Sequence, residues 1–250
     1  MESRAISTVD KVLDVLQLFN EDRYRVSIED IQRELNLPQS TVYRYVRLLV
    51  ERGFLDKVDS GYYHLGVRLI VLSRIALHSD RDIRLLSLPS MKRVADHTGE
   101  SVSLMRIANQ YAVCIESIEG QYALRVTIEP GRTQLLHAGA SSKVLLAYSP
   151  ESKWSSMLRL PLKRFTETTI TDMAELKQEA RKIRQQGYSI SNGEIDIGAR
   201  AIAVPLLNRQ DEIIAALSIE APSSRMPDEV VADYAAILQQ ESEDIRNSLN

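Results

Sequence analysis

Residues 39–51, Gln39-Ser40-Thr41-Val42-Tyr43-Arg44-Tyr45-Val46-Arg47-Leu48-Leu49-Val50-Glu51, constrain the fold more than any other stretch. At about 100° per residue, Val42, Tyr45, Val46 and Leu49 form one stripe of a helix, and Ser40, Tyr43, Arg44 and Arg47 form another on nearly the opposite side. The first stripe must pack. The second carries two arginines and two hydroxyl side chains, with no carboxylate before Glu51. That suits the DNA major groove, where arginine makes paired hydrogen bonds to guanine and hydroxyls reach phosphates. A solvated helix face fits the same stripe, so its neighbours have to decide.

Upstream, Val12, Leu13, Leu16 and Phe19 follow three-and-four spacing in a helix that ends near Asn20, and Glu21 to Arg25 form a polar break. Ser27 is placed to cap a short second helix with Ile28, Ile31 and Leu35 inward, and Pro38 suits the first turn of the third. A short helix, a tight turn and an amphipathic helix make a helix-turn-helix. Two β-rich runs follow, 54–58 and 62–65, around the turn Asp59-Ser60-Gly61. They predict a wing that brings Lys57 to the DNA backbone.

Composition adds little in favour of DNA. Among 250 residues, 31 Lys and Arg face 34 Asp and Glu, so any nucleic-acid contact has to come from a local cluster. The lone Cys114 has no partner for a disulfide or a tetrahedral metal site, which fits a reducing cytoplasm. No apolar run approaches the roughly 20 residues of a spanning helix, and Met1-Glu2-Ser3-Arg4 lacks the apolar core of a signal peptide. No membrane partner is expected.

Past the wing, Val67, Leu69, Ile70, Leu72, Ile75 and Leu77 predict a helix apolar on more than one side, to be covered by a second subunit or by an ordinary core. Another helix is expected from about 82 to 97, then strands at 101–107, 111–118 and 124–128. Further helices are expected at 141–148 and 173–186, the latter capped by Thr171 and closed by Gly187, then strands at 201–206 and 213–220 and a helix from Pro227. This order indicates an α+β domain on an antiparallel sheet. The expected organisation is a winged helix-turn-helix over 1–66, a linker helix over 67–80 and an α+β domain over 81–250. The segment Leu136 to Lys143 brings small residues and free amides to a helix N-terminus, a place for an anionic group or simply a tight loop and cap.

Leu37-Pro38-Gln39-Ser40-Thr41-Val42-Tyr43-Arg44 and Gly53-Phe54-Leu55 resemble the recognition helix and the start of the wing in the IclR family of transcriptional regulators. Ser3-Arg4-Ala5-Ile6 and Tyr63-His64-Leu65-Gly66 resemble that family's arm and wing exit. The likeness continues in the same order through Thr98 to Val102, Leu136 to Ala138, Lys143 to Ala147, Ile183 to Tyr188 and Ile202 to Pro205. The resemblance implies a GAF-like or profilin-like C-terminal sheet that binds a small-molecule effector. It also implies a homodimer, or a dimer of dimers, joined through the linker helix and DNA-binding domains. Arg4, Ser27, Gln39, Ser40, Thr41, Tyr43, Arg44, Arg47 and Lys57 become the expected DNA contacts on double-stranded operator DNA, with Arg4 reaching the minor groove. Met105, His137, Gly139, Ala140, Ser141, Ser142, Ser191, Ala201, Ser218 and Glu220 become the expected effector pocket.

The pocket departs from the family pattern. Members that respond to small 2-oxo acids place an Asp, a Cys and two Ser where this chain aligns Ser191, Ala201, Ser218 and Glu220, so only Ser218 keeps its type. An ionised Glu220 repels a bound acid unless it is protonated or paired, which points to a ligand with hydroxyls or a cationic group. No Gly-x-Ser-x-Gly elbow, Ser-x-x-Lys element, His-Glu-x-x-His pair, phosphate loop or cysteine pair is present, so neither catalysis nor a cofactor or metal is expected. The resulting expectation is a metabolite-modulated DNA-binding regulator, a repressor because a bound dimer blocks polymerase unaided. An activator, an enzyme with an appended winged helix and a protein-interaction module are the alternatives.

Overall fold

Two compact units, residues 1–79 and 80–250, make up the chain in a computed structural model that describes residues 8–20, 23–58, 61–79 and 81–249. In the first unit, α1 (Thr8–Gln17), α2 (Ile28–Leu35) and α3 (Gln39–Glu51) pack around Val15, Ile28, Ile31, Val42, Tyr45, Val46 and Leu49. Two details of α1 differ from expectation. It ends at Gln17 because the chain then bends back, Asn20 and Arg23 exchanging backbone hydrogen bonds at 3.2 and 3.0 Å. Its inward residue is Val15, while Leu13 is half exposed.

Ser27 caps α2 in full. Its hydroxyl accepts from the Asp30 amide at 3.1 Å, and the Asp30 carboxylate accepts from the Ser27 amide at 3.0 Å, a reciprocal capping box. Asn36 closes the helix in the left-handed region, φ 49°. Pro38 stands one residue before α3 and not inside its first turn, with its carbonyl accepting from Thr41 and Val42. A three-stranded antiparallel sheet in the order β1-β3-β2 completes the unit, with β1 at Val26–Ser27, β2 at Leu55–Lys57 and β3 at Tyr62–Leu65. Gly66 leaves β3 directly against the turn after α3, and a Cβ there would lie 2.2 Å from the Gly53 carbonyl oxygen. Next comes α4 (Arg68–Ser79), whose Ile70, Val71 and Ile75 are exposed.

The second unit is an α+β domain on a six-stranded antiparallel sheet in the order β6-β5-β4-β9-β8-β7. Its strands are β4 (Ser101–Ala108), β5 (Tyr111–Ile118), β6 (Thr133–Leu135), β7 (Ser189–Asn192), β8 (Ala199–Leu207) and β9 (Ile213–Pro222). Helices α5 (Arg81–Thr98) and α9 (Asp228–Ser248) cover one face, over Val102, Leu104, Ile202, Val204, Leu217 and Ile219. The other face meets α6 (Ala140–Tyr148), α7 (Trp154–Met157) and α8 (Met173–Gln186) over Met105, Cys114, Ala203 and Ala216.

The expected strand at 124–128 does not form. Residues 131–135 take the β5 edge instead: Cys114 donates to the Arg132 carbonyl, Gly131 donates to the Cys114 carbonyl, and Tyr111 and Val113 pair with Leu135 and Thr133. At α8 the cap is Asp172, not Thr171, because the Asp172 carboxylate accepts from the amides of Ala174 and Glu175.

The contact at Gly66 sets a test. A methyl group at this position has to displace backbone, so Gly66→Ala is expected to destabilise the first unit by about 1–3 kcal/mol. Urea unfolding of the full chain with an unchanged first midpoint would contradict this packing account.

Candidate functional site

The outward side of α3 carries the charge that the amphipathic pattern placed there. Gln39, Ser40, Tyr43, Arg44 and Arg47 are exposed and Thr41 is half-buried. Arg44 lies over the Tyr45 ring at 5.5 Å and has no ion pair among the described residues. Arg47 does have one, donating from Nε to Glu51 at 2.8 Å, yet its side chain is 81% exposed. An exposed i,i+4 pair contributes only about 0.3–0.5 kcal/mol, so the Arg47 guanidinium is weakly held.

Lys57 is exposed at the end of β2, beside Tyr63 of β3. Ser27 sits at the same sheet, paired with Tyr62, but its hydroxyl is already engaged with Asp30 on both sides, accepting from the amide and donating to the carboxylate. Arg4 and the rest of the arm, and Asp59 and Ser60 of the wing turn, lie outside the described residues.

In the second unit, alternation along the strands points Ser103, Ser218 and Glu220 to the side that meets α6, with Ser101 and Ala201 flanking Glu220 in register. Of these, Ala201 and Glu220 border a cavity of about 550 Å³ between the sheet and the α6 N-terminus. Of the expected effector residues, Gly139, Ala140, Ser141, Ser191, Ala201 and Glu220 line it. Met105, His137, Ser142 and Ser218 are buried but outside the lining. His137 donates from Nε2 to the Lys163 carbonyl at 2.8 Å and stacks near Phe165, which itself lines the cavity. Gly139, φ +88°, has no room for a side chain, since a Cβ would meet Ile195 at 2.9 Å and Gln134 at 3.1 Å.

Sequence reasoning missed most of the opposite wall, formed by Arg132, Arg159, Lys163 and the loop from Glu194 to Arg200. One signal was available in the lysine within the apolar helix Ala140–Tyr148. Lys143 is buried, and its ammonium donates to Glu194 at 2.5 Å, to the Ile190 carbonyl at 2.8 Å and to Glu179 at 3.0 Å. The second Glu194 oxygen accepts from the Gly139 amide at 3.0 Å. Three donors and three acceptors leave the buried cation satisfied.

Glu220 is different, because no cation partners it among the described residues. Burial pushes its carboxyl up to about 7, against hydrogen bonds from Ser218 and Ser103 that favour the ionised form. The neighbouring Cys114 thiol is pushed up to about 12, first by burial and then by Glu220. The acid repulsion argued from an ionised Glu220 therefore weakens near neutral pH. Among the described residues no His, Cys, Asp and Glu cluster has the makings of a metal site, and no helix is long and apolar enough to cross a membrane.

Comparisons with known proteins show the family. The family model for the IclR helix-turn-helix domain matches residues 8–59, and that for the bacterial transcriptional regulator IclR C-terminal domain matches residues 75–247. The HTH-type transcriptional regulator XynR of Escherichia coli K12 is 31% identical over 94% of both chains. The HTH-type transcriptional repressor AllR of the same organism is 27% identical over 98% of this chain and 91% of its own. A solved IclR homolog from Microbacterium hydrocarbonoxydans, complexed with 4-hydroxybenzoate, superposes with a TM-score of 0.76 at 29% identity, covering 97% of this chain and 99% of that one.

The raised Glu220 carboxyl makes folding proton-linked. Between about 4.5 and about 7 the folded chain holds a proton that the unfolded chain has released, so this group's contribution to stability falls as pH rises through that window. Glu220→Gln removes the fall. Its melting temperature relative to wild type is expected to rise between pH 5 and pH 8, by the equivalent of something on the order of 3 kcal/mol. A difference constant with pH would show that Glu220 ionises normally.

Proposed function

The chain belongs to the IclR family of transcriptional regulators, and we propose that it represses its targets as a homodimer, each subunit laying α3 in the major groove of an operator half-site. Its function as a DNA-binding regulator rests on the family. The observation that carries the α3 assignment is the division of that helix into a buried side, Val42, Tyr45, Val46 and Leu49, and an exposed side bearing Arg44 and Arg47. In this reading Arg44 and Arg47 read bases or clamp phosphates. Gln39, Ser40, Thr41 and Tyr43 anchor the backbone beside them, and Lys57 and Ser27 meet it at the wing. Arg4 enters the minor groove.

The exposed Ile70, Val71 and Ile75 of α4 support self-association, because a contiguous apolar surface is stabilised by a second copy. A dimer puts two recognition helices about 34 Å apart, or at a multiple, on a palindromic site. Repression needs only that such a dimer occlude polymerase, and the AllR relative is named a repressor. DNA as target, together with a lone reduced thiol, supports a cytoplasmic location.

The second unit is the sensor in this proposal, with a metabolite in the cavity against Gly139, Ala140, Ser141, Ser191, Ala201 and Glu220. Met105, His137, Ser142 and Ser218 support that shell from behind. Helix amides at the α6 N-terminus, with Arg132, Arg159 and Lys163 on the wall, suit an acid group. The hydroxyls and Glu220 suit a ligand that also carries hydroxyls, a chemistry that 4-hydroxybenzoate has in the Microbacterium homolog. Such a ligand acts by binding one dimer geometry better than the other, a coupling of about 1–3 kcal/mol. No catalysis is proposed.

Two outcomes are expected. On a duplex selected from random sequence by the wild type, Arg44→Ala at fixed salt weakens binding by about 5- to 150-fold, the equivalent of 1–3 kcal/mol. A change within twofold would remove α3 from the interface. Ile70→Asp combined with Ile75→Asp shifts sedimentation from dimer toward monomer, and a variant sedimenting like wild type would remove α4 from the dimer contact.

A further inference from the structure

Among the described residues no opposite charge pairs with Glu220 in the cavity floor, although charged groups surround the same space. From β4 it faces Ser101 and Ser103, from β8 Ala201, and from β5 Cys114, which stays a neutral thiol. The Glu116 carboxylate further along β5 is held by Arg84. Across the cavity on α6, Lys143 is saturated by Glu179, Glu194 and the Ile190 carbonyl. Arg200 beside Ala201 is held by Asp228 and the Met226 carbonyl. Arg132, Arg159 and Lys163 contribute cations from exposed positions on the wall, and Asp196 a carboxylate from the loop.

The hydrogen bonding around Glu220 accommodates either protonation state. Ser218 Oγ has two acceptors in reach, Glu220 Oε1 and the Ser103 carbonyl at 3.3 Å. With Glu220 ionised, the Ser218 and Ser103 hydroxyls both donate to the carboxylate. With Glu220 protonated, the Ser218 hydrogen turns to the Ser103 carbonyl, and neither the two hydroxyls nor the carboxyl is left unpaired. Burial that leaves the carboxyl at about 7 makes either state accessible near neutral pH. An anionic ligand entering this space tips the balance, because its negative charge and that of an ionised Glu220 repel each other.

We propose that Glu220 selects the effector through its proton: in the complex with a hydroxylated monoanion it is a neutral carboxylic acid that donates a hydrogen bond to a ligand oxygen, so binding takes up a proton from solvent wherever the free chain holds Glu220 ionised. This rests on the effector reading of the cavity. The proton adds to the Glu220 carboxylate as the anion enters, and no other bond changes.

Calorimetry on the full chain with the hydroxylated monoanions glycolate, lactate and 4-hydroxybenzoate as probes, at pH 6 and pH 8, tests the linkage. A probe that binds is expected to do so about tenfold more weakly at pH 8 in the wild type, and equally at both values in Glu220→Gln. Affinity in the wild type that is equal at the two values, or higher at pH 8, overturns the proposal. Infrared spectroscopy provides a ligand-free arm, expected to show a carboxylic acid band titrating near pH 7 that is missing in Glu220→Gln. Should that variant not fold, Ser218→Ala serves, since loss of its hydroxyl should raise the midpoint of the band. A Glu220 fully ionised at pH 6 overturns the proposal even if no probe binds. If the band titrates but no small molecule enters the cavity, the effector reading falls and takes the proposal with it, while the titration of Glu220 stands.

Discussion

Residue alternation along β4, β8 and β9 governs the second unit. Val102, Leu104, Ile202, Val204, Leu217 and Ile219 go to the side covered by α5 and α9, where they build a dry core. The intervening positions, among them Ser103, Ala203, Ser218 and Glu220, are left for the other side, where the serines and alanines fill little of the space beneath α6 and Ala201 and Glu220 border the cavity. A sheet face of short side chains is poor packing material, so the void comes with the strand period. The same division of labour runs through α3, whose valines and Leu49 hold the small domain together while its arginines stay outside.

A void needs walls that do not collapse, and a buried lysine supplies them. Lys143 joins α6 to α8 through Glu179, to β7 through the Ile190 carbonyl and to the cavity loop through Glu194, which in turn holds the Gly139 amide. Removing one partner from such a cluster strands a charge away from water, which typically costs about 3–5 kcal/mol. The cluster therefore fixes the position of the α6 N-terminus relative to the loop that faces it. His137 performs a similar task for the segment around Phe165 with one hydrogen bond.

Elements with strong periodicity and good punctuation were legible in the sequence. The three helices and wing of the first unit, the paired long strands and the closing helix follow from spacing, caps and turn residues alone. The failures share a cause. Residues 124–128 have the composition of a strand, but the β5 edge they need is taken by 131–135, a competition between segments that no local pattern reports. The four residues of β7 are too short to announce themselves, and Asp172 outcompetes Thr171 as a cap only once the chain direction is known. At the cavity, family likeness supplied the floor and the α6 loop. The wall from Arg132, Arg159 and Lys163 was invisible because its residues come from loops distant in sequence. The state of Glu220 was also hidden, since a carboxyl's ionisation depends on what surrounds it in three dimensions.

The burial of Cys114 has a practical side. Its thiol donates weakly to the Ile128 and Glu116 carbonyls, and burial, which pushes it up to about 12, leaves almost no thiolate at neutral pH. Thiol reagents attack the anion, so the native sulfur is close to inert toward maleimides and spin labels. A single cysteine introduced on the exposed side of α3 or α4 is thus addressable in an otherwise unaltered background, which opens site-specific labelling without first stripping the protein of its own sulfhydryl.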